Sequence, residues 1–158
     1  MVKTKIKKIL IAIVTIFTVL IVQVLVKDYF DYNKINQEAT PENLKDLSDD
    51  DWGVILGKVT DEVNKTCPKM IDKETRLDNT IALSDRTIQY NYTMVNLEKE
   101  SIDIDYFEEN LKPIILNEVK TNPGLKNFRE NKVTMSYYYK DKNGKFLIKL
   151  KFNPDSYK

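Results

Sequence analysis

The segment from Lys132 to Phe152 constrains this chain more than any other part of it. Lys132 to Lys140 alternates Val133, Met135, Tyr137 and Tyr139 against Lys132, Thr134, Ser136 and Tyr138. Lys145 to Phe152 alternates Phe146, Ile148, Leu150 and Phe152 against Lys145, Leu147, Lys149 and Lys151. A period of two marks a strand with one buried face. Asn143-Gly144 stands between the runs, the dipeptide favoured in a two-residue type I′ turn, where both central residues need positive φ. The register this predicts sets Tyr139 opposite Ile148, Tyr137 opposite Leu150 and Met135 opposite Phe152, so at least part of the molecule is an antiparallel sheet.

Earlier residues extend the pattern. Thr75 to Leu83 carries Leu77, Ile81 and Leu83, and Thr87 to Asn96 carries Ile88, Tyr90, Tyr92 and Met94 against Thr87, Gln89, Asn91 and Thr93. A two-residue link at Ser84-Asp85 would set Ile81 opposite Ile88 and Leu77 opposite Tyr92. Ser48 followed by Asp49, Asp50 and Asp51 reads as a helix start, since the hydroxyl caps free amides and the acids complement the dipole. Trp52, Ile55, Leu56, Val59 and Val63 then fall on one helical face, and Pro68 stops the run. A second helix from about Asp105 has its stripe at Phe107, Leu111, Ile114, Ile115 and Val119, with Pro113 predicting a kink or two shorter helices. The expected fold class is α+β: an N-terminal transmembrane helix followed by an α-β-β-α-β-β domain, two helices covering one face of a four-stranded antiparallel sheet. The other sheet face stays wet, as antiparallel sheets allow.

The transmembrane expectation rests on Ile9 to Val26, where only Thr15, Thr18 and Gln23 are polar and no residue is charged. At about 1.5 Å per residue such a helix is roughly 27 Å long, near the roughly 30 Å of bilayer hydrocarbon. Lys3, Lys5, Lys7 and Lys8 precede it without an acid, which places the N-terminus inside and the rest of the chain outside. A cleaved signal peptide fits less well, because no small-x-small site follows the apolar run. The expected organisation is a basic cytoplasmic tail over 1–8, a span over 9–26, a linker over 27–44 and an extracytoplasmic domain over 45–158. The expected location is the bacterial cytoplasmic (inner) membrane, single-pass, with the bilayer itself as one partner through residues 9–26.

Composition narrows the chemistry. The chain has 25 Lys+Arg, 24 Asp+Glu and no His, for a net charge of +1. Histidine-dependent triads and His-ligated metals are excluded, and so is the strongly basic balance of a nucleic-acid-binding domain. The one cysteine, Cys67, excludes an internal disulfide and a thiolate metal cage. At the end of a helix and without a histidine to activate it, Cys67 reads as structural. No cofactor and no metal site are expected, and the chain reads as a non-enzyme.

Two surfaces stand out as candidates for binding. Asp72 to Asp78 is dense in polar residues; the hydrolase reading, with a carboxylate pair among Asp72, Glu74 and Asp78, is outweighed by a connection in which Asp72 makes an Asx-type turn and Arg76 pairs with a nearby acid. The solvent parity of the last hairpin gathers Lys132, Lys140, Lys145, Lys149 and Lys151 around Tyr138. Residues 28–66 hold 10 acids against 4 lysines, so the chain is electrically polarised. The basic face suits an anionic partner, an envelope protein or an anionic polymer, set against the plainer role of edge lysines that block strand aggregation. Tyr138, Lys149, Lys151, Asp72 and Arg76 are the candidate partner-binding residues.

Val63-Asn64-Lys65-Thr66-Cys67-Pro68, Asp72, Thr75-Arg76-Leu77-Asp78 and Tyr90-Asn91-Tyr92 together resemble small exported bacterial α/β proteins of unknown activity, and are similar to the quorum-sensing-regulated virulence factor family. The resemblance implies the α/β fold and an exported location, and it transfers no site residues. The function expected from all of this is a membrane-anchored binding or accessory module of the bacterial envelope. A toxin immunity or inhibitor protein is the first alternative and a carboxylate-dependent hydrolase the second.

Overall fold

The computed structural model of the chain describes residues 48–158. Helix α1 (Asp49–Asn64) is followed by a two-residue strand β1 (Lys69–Met70), then β2 (Thr75–Leu83) and β3 (Thr87–Met94). Helix α2 (Ile104–Thr121), a short α3 (Lys126–Glu130), β4 (Thr134–Asp141), β5 (Phe146–Phe152) and a terminal turn of helix α4 (Pro154–Tyr157) complete the order. The five strands form one sheet, β1-β2-β3-β4-β5.

The sheet is mixed, which corrects the four-stranded antiparallel expectation. β1–β2, β2–β3 and β4–β5 are antiparallel, while β3 and β4 are parallel, with Tyr90 beside Tyr137 and Tyr92 beside Tyr139. Length explains the join. Eight residues of β3 span roughly 27 Å and the 18 residues of α2 span about 27 Å. A helix of that length carries the chain back to where β3 began, so the next strand must run the same way, as helical crossovers do. Pro113 does not divide α2, which is one helix with this proline at its exposed side.

Among the described residues no helix is long and apolar enough to cross a membrane. The expected span over residues 9–26 and the linker expected over 27–44 lie outside the described residues. For the described residues, the transmembrane, single-pass, signal-anchor architecture and the inner-membrane placement built on it are corrected to a helix-and-sheet domain in which no helix crosses a membrane.

The start of α1 bears out its sequence signals. Ser48 Oγ accepts from the Asp51 N–H, and the Asp51 carboxylate accepts from the Ser48 N–H, a reciprocal cap. Arg86, in the β2–β3 turn, pairs with Asp49 at 2.6 Å and lies over the Trp52 ring at 5.8 Å, so the first turn of α1 is tied to that end of the sheet. Trp52, Leu56 and Val63 of α1 and Phe107, Leu111, Ile115 and Val119 of α2 are buried on the same side of the sheet. They meet Ile88, Tyr90, Tyr92 and Met94 of β3 and Met135, Tyr137 and Tyr139 of β4. The aromatic rings stack along the parallel join, with Tyr90–Tyr137 centroids at 5.3 Å and Tyr92–Tyr139 at 5.1 Å.

The last hairpin has the expected register: Tyr139 faces Ile148, Tyr137 faces Leu150 and Met135 faces Phe152. Its turn differs. Gly144 alone has positive φ (80°), and the Asp141 carboxylate accepts from the N–H groups of Asn143 and Lys145, a side-chain-braced turn closed by glycine in the left-handed region. In the first hairpin Leu77 faces Tyr92 as expected, but Ile81 faces Gln89, because a bulge between Leu77 and Asn79 shifts the parity. The loop also takes three residues, Ser84 to Arg86, with Asp85 and Arg86 both at positive φ.

Candidate functional site

Both long helices lie on one side of the sheet, and the other side carries the candidate site. Register alone assigns its rows. Arg76 is beside Thr93, Thr93 beside Lys140 and Lys140 beside Phe146; the next row runs Asn79, Asn91, Tyr138, Lys149; the one after it runs Ile81, Gln89, Ser136, Lys151. The face thus carries Arg76, Asn79 and Ile81 on β2, amides and a hydroxyl on β3, and lysines and aromatics on β4 and β5.

The middle of the face is internally bonded. Gln89 Nε2 donates to Asn91 Oδ1 at 2.8 Å, and Asn91 Nδ2 donates to Asn79 Oδ1 at 2.6 Å. Asp78, the bulge residue, receives Arg76 Nε at 2.6 Å, Thr93 Oγ1 at 2.6 Å and Lys140 Nζ at 3.0 Å. Burial alone would raise the Asp78 carboxyl, but the Thr93, Arg76 and Lys140 donors together hold it below its ordinary value. Asp78 thereby fixes two cations of the face in place and neutralises part of their charge.

Lys149 and Lys151 remain exposed, and Tyr138, directly opposite Lys149, is half-buried with its ring 5.2 Å from that of Phe146. Phe146 was expected among the core residues. A second bulge, between Tyr139 and Lys140, buries Leu147 in its stead and leaves Phe146 45% exposed on the open face. Phe146, Gln89, Asn91 and Asn79 are the site residues that sequence reasoning missed. The alternation of Gln89 and Asn91 with tyrosines was the legible signal for two of them.

The structure brings Arg76, Tyr138, Lys149 and Lys151 to one face and separates Asp72 from them. Asp72 is buried in the β1–β2 connection, where Oδ1 accepts from the N–H groups of Glu74 and Thr75 at 2.6 and 2.8 Å, the Asx turn that was expected. Of the other lysines expected around Tyr138, Lys145 pairs with Glu100, and Lys132 sits at positive φ in the turn that precedes β4. Cys67 is half-buried; burial and the Asp78 carboxylate push its thiol up against a smaller opposing pull from Lys69, which leaves it a poor nucleophile. Among the described residues, no group of three or more Cys, Asp or Glu is placed to hold a metal ion.

A family model matches residues 56–148, from α1 into β5 and across the whole open face up to Ile148. The chain belongs to the family described as domain of unknown function DUF8479. Its DUF8479 region takes in β1 to β4 and the start of β5, while Lys149 and Lys151 stand beyond the matched residues. A relative, "Protein K" of Escherichia coli, is 27% identical over 116 residues, 69% of this chain and 61% of that protein. The chain thus spans less than two thirds of that relative's length.

Three solved structures share the fold of this DUF8479 chain. A protein of Pseudomonas aeruginosa described as a candidate secreted protein superposes with a TM-score of 0.61 at 14% identity, over 70% of this chain and 96% of that one. The type 2 secretion system pilotin EpsS of Vibrio vulnificus gives 0.55 at 5% identity, over 70% and 94%. The type II secretion system pilotin AspS of Vibrio cholerae gives 0.52 at 6% identity, over 68% and 94%. The solved chain of each neighbour is almost wholly covered by the shared domain.

Proposed function

We propose that this domain is a non-enzymatic accessory module of the bacterial envelope that holds an anionic partner on the open face of its sheet. The observation that carries the reading is charge: among the described residues, the strands present on this face Arg76, Lys140, Lys149 and Lys151 and one carboxylate, Asp78, already held between two of those cations. Charges of one sign on a rigid sheet raise the encounter rate with an oppositely charged partner and fix its orientation. In this reading Lys149 and Lys151 make the ionic contacts, Tyr138 and Phe146 supply flat apolar surface, and Arg76 marks the far limit of the site. Asp72 supports the β1–β2 connection from beneath. The shared fold of the secretion pilotins supports an envelope setting. The finer kinship with quorum-sensing-regulated virulence factors, and a domain boundary near residue 45, belong to the same proposal and rest on the residues quoted for them above.

The test places a photo-crosslinking residue at Tyr138 of the full chain in intact cells, with and without Lys149→Glu and Lys151→Glu. Both lysines are exposed, so the double reversal leaves the fold intact. The expected result is one dominant crosslinked species that falls at least tenfold in the double variant. Undiminished crosslinking to the same species would overturn the charge reading.

A further inference from the structure

The two edges of the sheet are finished differently. β1 pairs along the start of β2, setting Lys69 beside Leu77 and Met70 beside Arg76. Farther along β2, Asn64 at the end of α1 lays its carboxamide across Thr80: Asn64 Oδ1 accepts from the Thr80 N–H at 2.7 Å, and Nδ2 donates to the Thr80 carbonyl at 2.8 Å. That is the pair of bonds another strand would make, so a side chain closes this edge. β5 forms the opposite edge, and no strand lies beyond it among the described residues. Its exposed side chains on the open face are Phe146, Lys149 and Lys151.

We propose that the β5 edge accepts an extended acidic peptide as a sixth strand, with its carboxylates beside Lys149 and Lys151. The inference rests on the open-face reading above and names the class of partner. Lys149 and Lys151 are two residues apart on one face, about 7 Å along the strand. An added strand with acids at every second position meets both at once, and opposite charges on neighbouring strands stabilise the pairing. Main-chain hydrogen bonds to β5 supply affinity that does not depend on sequence, and the lysines select the acidic pattern. A second copy of this chain is the wrong partner for that edge, because antiparallel pairing of β5 with itself sets lysines against lysines.

The experiment is an NMR titration of the full chain with three probes: a nine-residue peptide alternating Glu and Val, the same peptide with alternate backbone nitrogens methylated, and a short polyacrylate. The expected result is saturable binding of the plain peptide, slowed hydrogen exchange at alternate amides between Phe146 and Phe152, and at least a tenfold loss of affinity on N-methylation. Lys149→Glu with Lys151→Glu should abolish the effect. If both peptides and polyacrylate bind alike, strand addition is overturned while the anionic open face stands. If none of the three binds, both readings fall. Slowed exchange at those amides before any probe is added would show the edge already occupied by this chain's own residues or by a second copy, and that too overturns the proposal.

Discussion

Two buried tyrosines carry an uncompensated cost that a single atom can remove. Tyr90 and Tyr139 are at most 1% exposed, and their hydroxyl oxygens find no hydrogen-bond partner among the described residues. A buried hydroxyl without a partner costs about 1–3 kcal/mol, whereas the ring itself contributes packing. Tyr90→Phe and Tyr139→Phe should each raise the urea midpoint of unfolding, and a fall in either midpoint would show that the hydroxyl is satisfied. Asp78 behaves in the opposite sense. Its carboxyl is held below its ordinary value in the folded protein, so its contribution is fully present above the unfolded value and is lost as pH falls through the folded one. Asp78→Asn should therefore destabilise at pH 7, by about 1–3 kcal/mol, and flatten the decline in stability below pH 4. Parallel urea titrations of the two proteins at pH 3 and pH 7 would measure both effects.

At the scale of elements, Asn64 links helix to sheet. Asn64→Ala leaves the Thr80 N–H and carbonyl without their partner and opens the edge of β2. A loss of about 1–3 kcal/mol is expected, together with concentration-dependent association visible by light scattering, since an unprotected edge recruits other strands. The same element shows what the sequence could and could not disclose. Alternation and turn chemistry lie within a few residues of each other, so the last hairpin, the capped α1 and the α2 stripe were all legible. Bulges are not local in that sense. Asp78 and Leu147 are displaced because their partner strands have one residue fewer to match, and this is written in neither strand alone. Hence Ile81 and Phe146 were assigned to the wrong face. The Asx turn at Asp72 and the basic character of Lys149 and Lys151 were readable, whereas the Asp78 hub needed β2, β3 and β4 brought side by side.

For the whole molecule, alkali is the informative stress. Tyr90, Tyr92, Tyr137 and Tyr139 are all buried and their phenols are all raised, with burial the largest cause in each case. Such groups stabilise the fold below the unfolded tyrosine value of about 10, and that stability is lost as pH rises beyond it, because only the unfolded chain can ionise them cheaply. Unfolding should be cooperative and should begin above pH 10, with a step of phenolate absorbance worth these four rings appearing together with the loss of circular dichroism; all nine tyrosines ionising before that loss would place the rings nearer to solvent. The parallel join carries a further consequence for biosynthesis. Gln89 in β3 and its neighbour Ser136 in β4 are 47 residues apart in the chain. A ribosome adding about 5–20 residues per second leaves β3 without that neighbour for some seconds. During that interval the nascent protein exposes a tyrosine-rich ribbon, and whatever shields it, a chaperone or the tunnel exit itself, governs how much of the product survives to maturity.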